Sequence, residues 1–281
     1  MRRRSKLLII LASTASAVST AARAAASHAR TCLTAMLGAT LGLGLGLAVT
    51  PPAVALEPTP SESHRALTPY EAVYKTSTSG LSIKLRRSLS MDDNGDCRLT
   101  SQGKLLVAGI SEVSVFGLDG DRVQPKSYVY QLSGPVSRRR EVHFENDASV
   151  IRSLYKKEWY ELPKTDDTLD RMSQQEQLRL SLLNDPTPRE DMRFRVADGR
   201  KVKEYRLIYH GEERLETPMG WVKTLHFERD HDDPERRSAV WIAPGWDYLM
   251  VRTVHVDDGK TTEADLISAS ISGAAVSGAS S

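Results

Sequence analysis

Residues 166–185 read DDTLDRMSQQEQLRLSLLND, and this stretch decides the fold because it is the one long helical pattern after the N-terminal leader. Acidic and hydroxyl side chains at its start are suited to cap a helix, and Asn184-Asp185-Pro186 is suited to end one. Apolar residues recur inside it at helical spacing, namely Leu169, Met172, Leu178, Leu180, Leu182 and Leu183. We therefore predict one helix over 166–185.

The rest of the sequence predicts strands. Short runs rich in β-branched and aromatic residues are separated by Gly, Asp, Asn or Pro, and turns such as Asp93-Asn94-Gly95-Asp96 predict hairpins. Apolar and charged residues alternate, as in Ile83, Lys84 and Leu85, which gives the sheet one dry face. A long sheet of this kind curls and needs a filler. We predict a mainly β fold, a curled antiparallel sheet between a half-barrel and an open barrel, wrapped around the helix near 166–185.

The predicted strands follow from the same pattern. Their ranges are 70–76, 81–91, 97–107, 111–116, 124–133, 138–145, 150–154, 158–162, 192–197, 202–209, 212–217, 221–229, 237–244, 250–256 and 262–272. Residues 70–272 are long enough for one β-rich domain. The stretch 56–69 is rich in Pro, Ser and Glu and predicts a flexible linker, and 273–281 is of low complexity and predicts a disordered tail.

The first 55 residues have the features of a secretory signal. Basic residues open the chain, an apolar segment covers 33–49, and Ala53-Val54-Ala55 is a cleavage site before Leu56. We expect the signal to be cleaved and the mature protein to be periplasmic. The alternative is an inner-membrane anchor formed by 33–49, which is short for a span.

The charge of the chain gives no reason to expect nucleic acid as a partner. Six of the 38 basic residues and none of the 36 acidic ones lie in the first 55 positions, so the remainder has 32 basic and 36 acidic residues, a net charge near −4. Cys97 is the single cysteine after the leader, since Cys32 lies within it. An internal disulfide is therefore excluded from the mature chain, and a buried, unreactive thiol is expected.

Several short motifs, in order, resemble the bacterial exported family labelled domain of unknown function 3108. The helix carries a "D-x-L-S … Q-L-R" pattern at Asp167, Leu169, Ser173 and Gln177-Leu178-Arg179. The flanking matches are Tyr70-Glu71-Ala72-Val73-Tyr74, Gly117-Leu118 with Gln124-Pro125-Lys126-Ser127-Tyr128, Val196-Ala197-Asp198-Gly199-Arg200, Thr217-Pro218-Met219-Gly220, Val240-Trp241-Ile242-Ala243 and Leu249-Met250-Val251-Arg252. The resemblance covers 70 to about 271.

The resemblance implies an exported domain whose sheet wraps a helix, similar in outline to periplasmic carriers and outer-membrane receptors that handle lipoproteins. The sequence departs from the family at Met172, where Leu is usual, and at Met250, where Pro is usual. The first change conserves volume and the second frees a backbone N–H group, so neither threatens the fold. The family has no assigned activity, and a fold does not by itself define a function.

The candidate ligand-binding residues are apolar. Helical side chains at Leu169, Met172 and Leu180 are expected to face the concave side of the sheet, and Trp241 and Trp246 are expected near it. His226, Glu228 and Asp230 alternate at the end of one strand, which is a weak metal-binding pattern; an ordinary solvated strand end is the favoured interpretation.

Two further charged groups have competing interpretations. Asp166, Asp167 and Asp170 could act as paired carboxylates, but capping the helix is the simpler role. The basic run at 138–140 could meet lipid phosphates, or it could protect a solvated sheet edge, which we favour.

We expect a non-enzymatic protein without a cofactor that binds a hydrophobic small molecule or lipid in its concave face. The alternative is a structural or interaction module that acts through another envelope protein. A hydrolase with an unrecognised carboxylate site is a third possibility, although the sequence has no G-x-S-x-G, Walker A or zinc-spaced cysteine motif. The size of the gap between the helix and the sheet is expected to discriminate ligand carriage from a scaffold.

Overall fold

The alternating runs form strands where they were expected. A computed structural model describes residues 65–78, 81–105, 107–145, 149–188 and 191–279. The strands in these ranges are, in chain order, β1 (Tyr70–Thr78), β2 (Leu81–Met91), β3 (Cys97–Leu105), β4 (Ala108–Asp119), β5 (Arg122–Ser133), β6 (Arg138–Phe144), β7 (Val150–Tyr155), β8 (Glu158–Pro163), β9 (Thr168–Leu169), β10 (Asp191–Asp198), β11 (Lys201–Thr217), β12 (Gly220–Arg229), β13 (Arg237–Ala243), β14 (Leu249–Asp257), β15 (Lys260–Ile271) and β16 (Ala274–Ala275). The helices are α1 (Ser173–Asn184) and a single 3-10 turn (Pro244–Trp246).

The described strands form one sheet. Its order is β8-β7-β6-β5-β4-β3-β2-β1-β15-β14-β13-β12-β11-β10-β9, with β16 paired to β15. Neighbours are antiparallel except for β9 and β10, which are parallel. The terminal strands β8 and β9 do not pair with each other, so the described sheet is curled but unclosed. This confirms the predicted mainly β fold with a curled antiparallel sheet around one helix.

Bulges bend the long strands. Register shifts occur at Val73/Tyr74, Val115/Phe116, Tyr209/Gly211 and Trp241/Ile242. A bulge bends its strand and increases the local twist, which helps a long sheet to curl. The predicted break between 202–209 and 212–217 was wrong, because β11 continues through it with Gly211 at φ +117°.

The two ends of the sheet approach each other through side chains. The hydroxyl of Ser153 on β7 donates a 2.6 Å hydrogen bond to the carbonyl of Gly199, in the turn between β10 and β11. The ring of Tyr155 packs on the same glycine, where a Cβ atom would lie 3.1 Å from the ring. This contact, which we call the seam, brings the β7 end of the sheet against the β10–β11 hairpin.

The helix is shorter than predicted. It begins at Ser173 rather than 166, because Thr168 and Leu169 form β9 and pair with Arg195 and Val196 of β10. Pairing with a distant strand therefore overrides helical spacing over these residues.

Asp170 provides the cap of the helix. Its Oδ1 accepts the N–H groups of Met172 at 2.8 Å and Ser173 at 3.0 Å, and its Oδ2 accepts the hydroxyl of Ser114 at 2.8 Å. Of the three acids predicted to cap the helix, only Asp170 does so, whereas Asp166 and Asp167 are exposed.

The helix lies in the concave side of the sheet and is buried around most of its circumference. Leu178, Leu180, Leu182 and Leu183 are all buried although they point in different directions around the axis. The polar side of the helix is anchored too, because Gln177 accepts the N–H of Val123 at 2.7 Å. A helix enclosed in this way must pair its charged residues within the protein.

Both flanking segments contact the domain where they are described. Leu67 is buried, and Arg65 exchanges backbone hydrogen bonds with the side chain of Asn184 at 2.8 and 3.0 Å. In the tail, Ala274–Ala275 form β16, and Ala279 bridges to Trp221. The signal peptide, its cleavage site and the alternative anchor lie outside the described residues. No helix in the described ranges is long and apolar enough to cross a membrane.

Candidate functional site

A cavity of about 240 Å³ lies between α1 and the concave face of the sheet. One side of its wall is largely apolar, with Leu85, Leu178, Val240, Ile242 and Met250 among the lining residues. Ligand pockets for drug-sized molecules measure roughly 300–1,000 Å³. The cavity is therefore suited to a small or single-chain ligand.

A buried charged network borders the cavity at the helix. Glu176 and Arg179 lie on α1, Tyr70 on β1 and Arg87 on β2, and all four line the cavity. The Oε1 of Glu176 accepts the Tyr70 hydroxyl at 2.9 Å and lies 3.4 Å from Arg87 Nη2, and its Oε2 accepts Arg179 Nη1 at 2.6 Å. Arg87 Nε also donates to the Tyr70 hydroxyl oxygen at 2.9 Å. We call these four residues the helix cluster.

The helix cluster holds its charges deep in the protein. Burial raises the pKa of Glu176, but the two arginines outweigh it and hold that pKa below its usual value. Burial raises the pKa of Tyr70 to about 12, so its hydroxyl is protonated at neutral pH. At neutral pH the cluster therefore contains two guanidinium cations and one carboxylate.

A second polar group lines the other part of the cavity. Glu112 on β4 accepts the hydroxyl of Tyr128 at 2.8 Å, and burial raises the pKa of Glu112. Arg171, just before α1, lies 3.8 Å from Asp198, which also accepts Lys203 Nζ at 2.6 Å. The guanidinium of Arg171 thus joins the segment before the helix to the β10–β11 hairpin.

Ser238 on β13 lies between two histidines at one end of the cavity. Its Oγ is 2.9 Å from His231 Nε2 and 2.8 Å from His255 Nδ1. Burial lowers the pKa of His231 to about 4 and also lowers that of His255, so both rings are neutral at pH 7. The three side chains satisfy one another as a neutral hydrogen-bonded chain.

The predicted ligand-binding residues occupy different places. Met172 lines the cavity. Leu169, Leu180 and Trp246 are buried in the hydrophobic core and do not line it. Trp241 lies on the opposite, convex face, where its ring stacks on His226 with centroids 4.3 Å apart.

The weak metal candidates lie on that convex face as well. His226 Nδ1 and Trp241 Nε1 both bond to the carboxylate of Glu213, each at 2.8 Å. Glu228 is paired with Arg237, and Asp230 with Arg206 at 3.0 Å. Within the described residues, no group of three or more His, Cys, Asp or Glu side chains is arranged to hold a metal ion.

Within the described residues, the basic run at 138–140 has a paired strand on one side only. Its strand, β6, pairs with β5 over residues 138–143, whereas β7 pairs with residues 141–144 and leaves the run unpaired on that side. The run therefore lies at a local edge within the sheet, as the favoured interpretation expected. Arg139 faces outward and pairs with Glu141 at 2.5 Å, whereas Arg140 is buried with its guanidinium 5.1 Å from the centre of the Tyr155 ring. Alternation along the strand therefore divides this run between two faces.

The cysteine after the leader is buried as expected. Cys97 on β3 is fully buried and free. Burial raises the pKa of its thiol to about 11, which disfavours the reactive thiolate.

The charged lining was missed by sequence reasoning. Glu176 and Arg179 were passed over because charged helical residues are usually solvated. The available signal was the spread of leucines from Leu178 to Leu183 around the whole helix, which indicates burial on every side. For Arg87 the available signal was the alternation of its strand, since Arg87 is in phase with Ile83, Leu85 and Leu89 on the buried face.

The fold and cavity define a class of protein, a β domain whose curled, unclosed sheet wraps one helix beside a cavity lined by both apolar and charged residues. Within that class, the chain belongs to the family described as "Protein of unknown function (DUF3108)", whose profile matches residues 92–265, more than half of the 281 residues. This confirms the resemblance seen in the motifs. A search of curated proteins found no match.

Among solved structures, the chain is similar to a β-barrel-like protein of domain of unknown function DUF1849 from Brucella abortus. The two share 11% sequence identity with a TM-score of 0.48, and the match covers 73% of this chain and 98% of that one.

Proposed function

We propose that this protein is a non-enzymatic binding protein that holds a hydrophobic or lipid-like ligand between α1 and the concave face of its sheet. The observation that carries the proposal is the cavity of about 240 Å³ beside a helix whose leucines are otherwise packed. Well-packed interiors contain few voids larger than a water molecule. A space of this size with a largely apolar wall therefore favours ligand carriage over a solid scaffold.

A periplasmic location is part of the proposal and rests on the leader. Its basic start, the apolar segment 33–49 and the site before Leu56 are features of exported proteins. In that compartment, a protein with a largely apolar cavity would shield a hydrophobic group from water.

Binding of a neutral apolar ligand tests this function. Decanol is titrated into the purified full chain after bound lipid has been removed, and the removed lipid is identified by mass spectrometry. The variant Ala264→Leu adds volume to the wall of the cavity and should weaken binding, whereas Ala274→Leu, on exposed β16, should not. Absence of co-purified lipid together with no binding of decanol or of any other chain-bearing ligand would overturn the proposal. Turnover in a broad hydrolase screen would overturn its non-enzymatic part.

A second candidate function, an interaction module of the cell envelope, is favoured by the free edge of the sheet. β8 is a terminal strand in the described sheet, and its Trp159 is 47% exposed. Exposed strand edges can accept a strand from another protein. Cross-linking in the periplasm from the exposed position 161 on the same strand would support this function if one partner protein dominated, and a Trp159→Ala variant that cross-links equally well would contradict it.

A further inference from the structure

The helix cluster contains one more cation than carboxylate. Arg87 and Arg179 face one carboxylate, Glu176, and the nearby Tyr70 is neutral at pH 7. Glu112 lines the same cavity but bonds to Tyr128 and interacts with Arg171 as well as Arg87. Asp247 pairs with the exposed Arg65 and offers Arg179 only its backbone carbonyl. All four members of the cluster are more than nine-tenths buried. Buried charges are normally paired, so one cation of the cluster is in excess.

The hydrogen bonds of Arg179 show an unused donor at the same place. Its Nη1 donates to Glu176 at 2.6 Å, its Nε donates to the carbonyl of Asp247 at 3.1 Å, and its guanidinium lies 4.8 Å from the centre of the Tyr70 ring. Its Nη2 is buried and has no hydrogen-bond partner among the described residues. Buried N–H groups in proteins are nearly always paired, and an arginine presents two N–H groups in a fork that fits an anion.

The apolar wall begins beside this donor. Leu178 precedes Arg179 on the helix and lines the cavity, as do Leu85, two residues before Arg87, and Tyr74 on β1. A ligand in the cavity therefore has a cationic group at one point and apolar side chains over much of the remaining wall. The volume of about 240 Å³ favours one chain over two.

We propose that the ligand is a single-chain anionic amphiphile whose carboxylate or phosphate group binds at Arg179 and Arg87 while its chain occupies the apolar part of the cavity. This inference rests on the proposed function. Arg179 donates through Nη2 to an anionic oxygen, and Arg87 contributes its charge. The anion then balances the excess cation of the helix cluster.

Matched ligands test the inference without any mutation. Decanoate, decyl phosphate and decanol are titrated calorimetrically into the delipidated full chain at neutral pH, with acetate and inorganic phosphate as anions that lack a chain. We expect a carboxylate or phosphate head group to strengthen binding at least about tenfold over decanol, because hydrogen bonds to charged groups are among the stronger ones.

Variants assign the preference to the cluster. Arg179→Gln should reduce the affinity for decanoate and decyl phosphate until it no longer exceeds the affinity of the same variant for decanol. Arg193→Gln, which removes an exposed arginine paired with Asp191 and Glu204, should leave every affinity unchanged. Far-ultraviolet circular dichroism and urea unfolding establish that each variant is folded.

Each outcome bears on one proposal. Equal binding of decanoate, decyl phosphate and decanol would overturn the anionic head group but keep the apolar ligand. A preference that survives Arg179→Gln would overturn the assigned site. Binding of acetate or inorganic phosphate alone, lost in Arg179→Gln, would support the anion site and overturn the amphiphile. No binding of any chain-bearing ligand would overturn the proposed function itself.

Discussion

Arg179 Nη1 donates a 2.6 Å hydrogen bond to Glu176 Oε2 three residues earlier on α1, and neither side chain reaches the surface. An exposed pair at this helical spacing contributes only a few tenths of a kcal/mol. A buried pair is different, because removal of one partner leaves a charge without water or counter-ion. The stability of the domain should therefore depend on Glu176 far more than its place on a helix suggests.

Substitution of Glu176 should destabilise the domain strongly. In Glu176→Gln, Arg87 and Arg179 remain buried without a carboxylate, so we expect the free energy of unfolding to fall by about 3–5 kcal/mol. Urea unfolding followed by tryptophan fluorescence measures the change. The control is Glu204→Gln, which removes an exposed pair with Arg193 and should change stability by no more than about 0.5 kcal/mol. Similar losses for the two variants would contradict the structural role of Glu176.

Acid should weaken the same network. Burial opposes ionisation of Glu176, but Arg179 and Arg87 hold its folded-state pKa below the unfolded value of about 4.3. A depressed carboxyl pKa contributes stability above the unfolded pKa, and this contribution is lost as the pH falls through the folded pKa. The stability gap between the wild type and Glu176→Gln should therefore shrink on acidification below about pH 4.

Unfolding free energies at a series of pH values measure this gap. Other carboxyls titrate in the same range, including Asp198, whose pKa Arg171 and Lys203 lower against the effect of burial. These carboxyls are present in both proteins. Subtracting the unfolding free energy of the variant from that of the wild type therefore cancels most of their contribution. A gap that stays constant down to about pH 3 would show that Glu176 is not held in its ionised form.

The cap of α1 should depend on Asp170 and not on the acids that precede it. In Asp170→Ala, the N–H groups of Met172 and Ser173 and the hydroxyl of Ser114 lose their acceptor. We expect a loss of about 2 kcal/mol or more, since a buried cap is removed together with a buried hydrogen bond. Asp166→Ala, at an exposed position, should stay within about 0.5 kcal/mol in the same thermal unfolding measurement. A larger effect at 166 would restore the original cap assignment.

The seam should be sensitive to a single methyl group. Gly199 has φ +72°, and an added Cβ would lie 3.1 Å from the Tyr155 ring. Gly95 has a similar φ of +80° with nothing within 4 Å of an added Cβ. Alanine at either position should cost roughly 1–2 kcal/mol for the left-handed backbone, and Gly199→Ala should cost more because it also displaces the ring.

Urea midpoints of the two variants test the comparison, because the backbone cost is common to both. Equal urea midpoints would mean that the ring of Tyr155 moves aside without a cost in stability. Packing across the seam would then make no measurable contribution to the free energy of unfolding. A lower midpoint for Gly199→Ala would show that packing across the seam contributes to stability.

Local patterns predicted much of the architecture correctly. The turn at Asp93–Asp96 does join β2 to β3, and Ile83, Leu85 and Leu89 are buried on one face as their alternation predicts. Hairpins bring neighbours in sequence together, so short-range chemistry is sufficient to identify them. The start of α1 could not be found this way, because β10, which pairs with Thr168 and Leu169, comes later in the chain.

The candidate site was predicted only in part. Met172 was identified from helical spacing and does line the cavity. Trp241 was placed with it although strand alternation puts its ring on the convex face, beside His226. Val240 and Ile242 line the cavity, so the residue between them on β13 points to the other face of the sheet.

The sequence by itself determined most of the strands, the helix that follows Asp170 and the family, because each depends on residues that are close together or on motifs in order. The tertiary structure alone decided which charges meet inside the sheet. Tyr70 and Arg87 are 106 and 89 positions from Glu176, and only the curl of the sheet brings them to one helical carboxylate. Burial then strengthens the interactions among these charged residues, because the energy of a charge depends on the surroundings that long-range packing creates.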